Sequence, residues 1–253
     1  MSVDRSLEAG VLRLTMNRPE ARNALDEASY RALSAALAEA DGDAAVGAVV
    51  LTGAGGHFTA GNDLRDFQAA AQRRPPGGAA EEPAGVRWLK ALVAFEKPLL
   101  AAVEGVAVGI GTTTLLHCDL AFAGAGARFR MPFVPLGLCP EGGSSWLLPR
   151  AAGPKRAADL LLTGREFGAA EAEAAGLLTG VVPDGGALAR ATEAAGQLAA
   201  LPPAAVRAGK ALLRRAERGP VLEAIGAEMV EFRRLLGSPE AQAAFAAFFA
   251  RRS

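Results

Sequence analysis

Glu141 lies in the run Met131-Pro-Phe-Val-Pro-Leu-Gly-Leu-Cys-Pro-Glu-Gly-Gly-Ser-Ser-Trp146, a lone carboxylate among prolines, glycines and apolar side chains. Burial among such neighbours disfavours the charged form and raises the pKa toward the range in which a carboxylate serves as a general base. Two upstream segments, Thr59-Ala-Gly-Asn-Asp-Leu64 and Val106-Ala-Val-Gly-Ile-Gly-Thr112, each lead into a helix, where free backbone N–H groups favour negative charge. Gly109 and Gly111 let the main chain approach a ligand closely and leave the N–H of Ile110 available. A base and an oxyanion hole are the minimum needed to remove a proton next to a carbonyl. Plainer readings stand beside these: Glu141 as part of a helix first turn, and the glycines as packing residues. Neither segment is a dinucleotide fingerprint, because G-x-G-x-x-G is absent and no acidic residue follows at the expected distance.

Such a site needs a scaffold, and composition bounds it. The chain has 253 residues, enough for one good-sized domain with an appendage, and 51% of them are hydrophobic. Lys plus Arg and Asp plus Glu balance at 27 each, which argues against nucleic acid or an anionic membrane as partner. Cys118 and Cys139 are too few for a disulfide framework and read as reduced core residues. His57 and His117 cannot build a His-rich metal site, and no Cys/His spacing suggests zinc, so both histidines read as structural. The stretch Met1-Ser-Val-Asp-Arg-Ser-Leu-Glu8 is polar, and no apolar run approaches the roughly 18 residues of a membrane span. The expectation is a soluble, cytoplasmic protein.

Short strands alternate with helices through the first part. Val11–Met16 alternates as a half-buried strand, and Asp26 opens a helix with Tyr30, Leu33, Leu37 and Ala40 on one face. Ala48–Thr52, Pro98–Val103 and Asp119–Ala123 read as further strands, with an apolar helix over Gly109–His117. This rhythm points to an α/β core with parallel strands. Gln72–Pro83 has turn formers and charges without an apolar face and reads as an exposed loop. From about Gly185 the signals are helical: Leu188–Ala200, then Ala204–Arg218 with Val206, Lys210 and Leu213 in register. A stripe of Val221, Leu222, Ile225, Met229, Phe232 and Leu236 follows, and Phe245, Phe248 and Phe249 share one side of the last helix. So apolar a tail implies that some of it packs on another subunit.

The order of Asn17-Arg-Pro19, Asn23-Ala-Leu25, Phe58-Thr-Ala-Gly-Asn-Asp-Leu64, Ala101-Ala-Val-Glu-Gly-Val-Ala-Val-Gly-Ile-Gly111 and Pro135-Leu-Gly-Leu138 resembles the enoyl-CoA hydratase/isomerase (crotonase) superfamily. The resemblance runs from about residue 10 to the C-terminus. It implies a spiral of ββα turns over residues 1–195, a C-terminal helical trimerisation region over 196–253, and a homotrimer or dimer of trimers. It further implies an acyl-CoA thioester substrate with no separate cofactor, coenzyme A being part of the substrate. The N–H groups of Asn62 and Ile110 would form the oxyanion hole, flanked by Ala60, Asp63, Leu64 and Gly109. Asn23 and Ala24 resemble the segment that touches the CoA nucleotide, while Phe133, Leu136 and Trp146 would line the acyl site. For Phe133 and Trp146 plain core packing is an equal alternative. Lys210, Arg251 or Arg252 could meet CoA phosphates, although a solvated helix face is the commoner place for a basic residue.

The departures from the pattern select a reaction. Hydratases of this family carry two catalytic glutamates, at positions where this chain has Thr113 and Phe133. Instead, Gly61-Asn-Asp-Leu64, Ala107-Val-Gly-Ile110 and Pro140-Glu-Gly-Gly-Ser-Ser145 look like the peroxisomal-type Δ3-Δ2-enoyl-CoA isomerases. In those, the glutamate of the Pro-Glu-Gly segment is the base, which matches Glu141. The competing functions are 2-enoyl-CoA hydration with Glu141 as the only carboxylate, and a non-catalytic acyl-CoA-binding trimer. A serine hydrolase built on Ser144 or Ser145 with a histidine lacks the G-x-S-x-G elbow.

Overall fold

The polar N-terminal residues pair as an edge strand in the computed structural model, which describes residues 2–63 and 82–250. β1 (Val3–Glu8) runs antiparallel to β2 (Val11–Met16), in register from Val3 opposite Met16 to Glu8 opposite Val11. The two-residue turn Ala9-Gly10 takes φ 47° and 78°, the left-handed pair that matches strand twist. All of β1 beyond Val3 is exposed. It is held by backbone pairing, so it carries no apolar pattern to read.

α1 (Glu27–Gly42) starts at Asp26, whose carboxylate accepts the Ser29 N–H, and buries Tyr30, Leu33, Leu37 and Ala40 as expected. β3 (Ala48–Gly53), α2 (Ala84–Ala94), β4 (Leu99–Val103), β5 (Val106–Val108), α3 (Ile110–Leu115), β6 (Leu120–Gly124) and β7 (Arg128–Arg130) follow. Then come α4 (Ser144–Ala152), α5 (Pro154–Thr163), β8 (Glu166–Gly168), α6 (Ala169–Ala174) and β9 (Gly180–Val182). The chain ends in α7 (Ala187–Ala199), α8 (Pro203–Arg214), α9 (Arg218–Leu236) and α10 (Pro239–Ala250).

A six-stranded sheet has the order β1-β2-β3-β4-β6-β9, and a three-stranded sheet has the order β5-β7-β8. From β2 to β9 the larger sheet is parallel. Its central strands are buried on both faces, hence their continuous apolar runs. Val49, Leu51, Leu99, Ala101 and Val103 point into the main core, while Ala48, Val50, Leu100 and Ala102 meet the alanine face of α7. β5 branches off after β4, so the two sheets part at Glu104-Gly105, and the far end of β5 leads through Gly109 into α3.

The boundary after residue 195 falls inside α7, which packs on the sheet through Ala187, Ala191, Ala194 and Ala195, so the helical region begins beyond it. Within that region, α9 and α10 fold back on their own chain, placing Val221, Ile225, Phe232, Ala241 and Phe245 in the main core. The expectations for Leu64, the stretch 72–81, the Phe249 side chain, Arg251 and Arg252 lie outside the described residues. Among the described residues no helix is long and apolar enough to cross a membrane.

Candidate active site

Asn62 is positioned by a chain of locks that starts at Asn23. Asn23 is 1% exposed in a left-handed conformation, φ 57°. Its amide donates to the carbonyls of Ala54 at 2.8 Å and His57 at 2.7 Å, and its Oδ1 accepts the Arg18 N–H at 2.9 Å. The Thr59 hydroxyl donates to the Asn23 carbonyl at 2.6 Å and accepts the Gly61 N–H at 3.0 Å. Leu25 then bridges Asn62: its N–H donates to the Gly61 carbonyl and its carbonyl accepts the Asp63 N–H, at 2.8 and 2.9 Å. In a parallel bridge the flanking groups are used, and the central residue's own N–H turns to the opposite side.

Gly61 makes the next contact possible. Its φ is +85°, and a Cβ there would stand 2.4 Å from the Val108 carbonyl oxygen, so only glycine lets these backbones touch. Beyond Val108, Gly109 turns the chain at φ +56° and Ile110 opens α3. The Gly109 carbonyl is taken by the N–H groups of Thr112 and Thr113. The N–H groups of Asn62 and Ile110 therefore stand on adjoining stretches of backbone, and among the described residues neither meets a protein acceptor. The Asn62 side chain is fixed too, since its Oδ1 accepts the Tyr30 hydroxyl. Asp63 pairs with Arg18 at 3.1 Å, and Arg18 also meets Asp26 at 3.1 Å and the Ala24 carbonyl at 2.8 Å.

Glu141 arrives from the other side of α3. Gly142 and Gly143 take φ +74° and +72°, and a Cβ on Gly142 would lie 2.8 Å from the Thr113 hydroxyl, so the loop rests directly on that helix. Glu141 is 5% exposed and its Oε1 accepts the Thr113 hydroxyl at 2.7 Å. Burial pushes its pKa up to about 8; the Thr113 hydrogen bond pulls the other way, and the negative charge of Glu228 adds to the rise. α3 thus carries Ile110 at its first residue and the Glu141 partner one turn later. Tyr30 ties the two halves together as well: it donates to Asn62, and its pKa is raised by burial and then by the charge of Glu141.

The remaining residues divide. Phe133 is buried, its ring 3.8 Å from where a Cβ on Gly109 would stand, so it borders the Ile110 turn. Ala24, Ala60 and Leu136 are half-buried, Leu136 in the 3-10 turn Val134–Leu136. Half-buried Trp146 lies under the Arg150 guanidinium, 3.2 Å from its ring centroid, and its indole N–H is buried without a partner among the described residues. The Trp146 backbone N–H donates to the Gly143 carbonyl at 3.0 Å, and among the described residues its side chain makes no hydrogen bond to Glu141 or Thr113. Asn23 spends its side-chain groups on the backbone, so it shapes the loop and offers a ligand little.

Lys210 contacts Asp119 and the Lys97 carbonyl, both at 2.7 Å. It lines a cavity of about 440 Å³ between α2, α8 and α9, to which the Glu141 cluster contributes only His117. His117 donates through Nε2 to the Gly142 carbonyl at 2.7 Å, and burial lowers its pKa to about 4, so it stays neutral. Neither histidine hydrogen-bonds Ser144 or Ser145 among the described residues, which removes the hydrolase arrangement. Burial holds the thiols of Cys118 and Cys139 at pKa values of about 12 and about 11, so both are poor nucleophiles.

Sequence reasoning missed four contributors. Thr113 was passed over because it cannot act as an acid, yet it donates to the carboxylate. Arg18 stood in a noted motif without a role, and Tyr30 is the chain's only tyrosine, hidden as a core position of α1. Glu228 had a signal: with Val221, Ile225 and Phe232 it falls on the buried face of α9, where a charged residue is out of place.

Free N–H groups on two adjoining backbones beside a buried, proton-retaining carboxylate make a site for enolate-type chemistry on a carbonyl substrate. The chain belongs to the enoyl-CoA hydratase/isomerase family, whose profile matches residues 6–253. It is 42% identical over 215 residues to enoyl-CoA hydratase EchA19 of Mycobacterium tuberculosis, covering 83% of this chain and 79% of that protein. It is 36% identical over 226 residues to enoyl-CoA delta isomerase 2 of Homo sapiens, covering 87% of this chain and 56% of the human protein. The crystal structure of an enoyl-CoA hydratase/isomerase from Pseudoalteromonas atlantica T6c matches with a TM-score of 0.91 at 42% identity, over 100% of this chain and 98% of the other. The architecture is the crotonase fold, and the protein is an acyl-CoA enzyme of that family.

Proposed function

We propose that this enzyme moves the double bond of a 3-enoyl-CoA to the 2-position. The observation that carries the reading is the single carboxylate: Glu141 is buried against Thr113, and by the family resemblance Thr113 and Phe133 stand where hydratases carry their two glutamates. Glu228, the other nearby carboxylate, is turned to the back of the loop, where its oxygens accept from Gly143 and Ser145. Ionised Glu141 takes a proton from C2, and the electron pair moves through the thioester to its oxygen. The resulting dienolate is held by the N–H groups of Asn62 and Ile110, each such donor being worth roughly 2.7–4 kcal/mol in the transition state. Protonated Glu141 then returns the proton at C4. One carboxylate on one face of the dienolate serves both steps, and no water is activated.

In this reading Ala60, Asp63 and Gly109 frame the thioester, Phe133 is the wall beside the donors, and Leu136 and Trp146 lie toward the acyl chain. The loop at Asn23-Ala24 approaches the nucleotide end. Coenzyme A enters as part of the substrate, and the working assembly is a homotrimer or a dimer of trimers. Glu141→Gln tests the assignment: kcat for isomerisation should fall by about 10²–10⁴-fold or more while acyl-CoA binding is kept. Full activity in that variant would end it. The hydratase name of the 42% identical relative supports a second reading, hydration of 2-enoyl-CoA by Glu141 alone. Loss of the conjugated thioester absorbance of crotonyl-CoA, faster than double-bond migration in a 3-enoyl-CoA, would favour it.

A further inference from the structure

Glu228 is a second buried carboxylate, and the proton transfer does not use it. It is 8% exposed and reaches from α9 to the loop that carries Glu141. Its Oε2 accepts the Gly143 N–H at 2.7 Å; its Oε1 accepts the Ser145 N–H at 2.9 Å and the Ser145 hydroxyl. Every one of these neighbours can donate, the pattern that serves an ionised carboxylate, which only accepts. Burial raises the pKa of Glu228, and these same donors oppose the rise.

Gly143 and Ser145 also mark the N-terminal end of α4, a nine-residue helix that begins three residues after Glu141. Unpaired, that end presents N–H groups and partial positive charge, which favour a nearby carboxylate in its ionised form. Such help would make Glu141 a weaker base. The other groups facing Glu141 do not supply a counter-charge. They are the Tyr30 phenol from α1, the Thr113 hydroxyl from α3, Leu89 of α2 against Gly142, neutral His117 after α3, and the protonated Cys139 thiol.

The geometry points to Glu228 as a positioning residue for the reaction: it clamps the 141–145 loop from behind and cancels the positive end of α4, so that Glu141 meets the substrate as a strong base. This rests on Glu141 being that base. The clamp acts on the left-handed Gly142-Gly143 turn, which sets the direction of the Glu141 side chain against Thr113. The charge acts on how firmly Glu141 holds the proton between C2 and C4.

The test is the pH profile of kcat/KM for a 3-enoyl-CoA in Glu228→Gln, which keeps the size and removes the charge. The acid limb should move down by about one pH unit. The plateau kcat should drop by up to about tenfold as basicity falls, with KM little changed. Glu228→Asp, which keeps the charge, should return the limb most of the way to its parental position. An unshifted limb in Glu228→Gln overturns the proposal. If Glu228→Gln does not fold, Glu228→Leu, which also removes the charge, takes its place: its acid limb should likewise move down by about one pH unit, and an unshifted limb overturns the proposal. The two ideas fail separately. Isomerisation that survives Glu141→Gln removes the base itself, whereas an inactive Glu141→Gln alongside an unshifted Glu228→Gln removes only the role of Glu228.

Discussion

Thr113 donates its hydroxyl to a carboxylate whose pKa stands at about 8, and that bond favours the ionised form against the burial that raises it. Catalysis by Glu141 needs that ionised form, so kcat/KM for a 3-enoyl-CoA should climb about tenfold per pH unit and level off near pH 8. Thr113→Val keeps the shape and deletes the donor; its acid limb should lie higher in pH than the parent's, and a limb that stays put would remove Thr113 from the account. The same carboxylate makes a stability prediction. Its folded pKa of about 8 lies above the ordinary value of 4.5, so the protonated form favours folding. That contribution is complete below about pH 4.5 and is lost as the pH rises through about 8, an effect on the order of a few kcal/mol. Glu141→Gln has no charge to bury. Urea titrations should find it close to the parent at pH 5 and more stable at pH 9; equal stability at both values would contradict the shift.

Among the α-helices, α8 is the odd one, because it has no buried residue. Its hold on the core runs through basic side chains. Lys210 and Arg214 meet Asp119 at 2.7 and 3.3 Å, Arg214 also reaches the carbonyls of His117 and Cys118 at 3.1 Å, and Arg207 takes the Asp41 carbonyl at 2.7 Å. Asp119 further accepts the Leu99 N–H at 2.9 Å, so one carboxylate joins the helix to the start of β4. Asp119→Ala should cost about 3 kcal/mol, since it strands the Lys210 ammonium in a largely buried place. Hydrogen exchange should show α8 opening first, while a uniform loss of protection would mean that α8 is held otherwise. Periodicity put Leu213 in register with Val206 and Lys210, and the helix is there, yet a helix moored by its charged face leaves Leu213 82% exposed.

Over the whole molecule, the legible parts were those that bury a period. β3 and β4 are buried on both faces, α1 turns its apolar side inward as read, and of the α9 stripe Val221, Ile225 and Phe232 are buried while Leu222 is exposed. The strands β5, β7, β8 and β9 have three residues each, too few to show a period, and β1 is held by backbone alone. In the site, Glu141 and the glycines were visible because glycine and an isolated acid stand out among apolar neighbours. Tyr30 and Glu228 were not, because their partners lie 32 and 85 residues away. The tail follows the same logic. Folding α9 and α10 onto their own chain covers part of the apolar surface that suggested a partner subunit, yet Leu212 and Leu213 of α8 stay 69% and 82% exposed, and Val230 of α9 67% exposed. Adjacent leucines this open to water favour association, at about 25 cal/mol for each Å² of apolar surface covered. A second copy of this chain is the expected cover. Light scattering should therefore give the parent protein a mass several times that of one chain, and the pair Leu212→Glu with Leu213→Glu should lower it. Neither leucine touches the Glu141 cluster, so the dissociated variant should keep its far-ultraviolet spectrum. An unchanged mass would put the subunit contact on a different face.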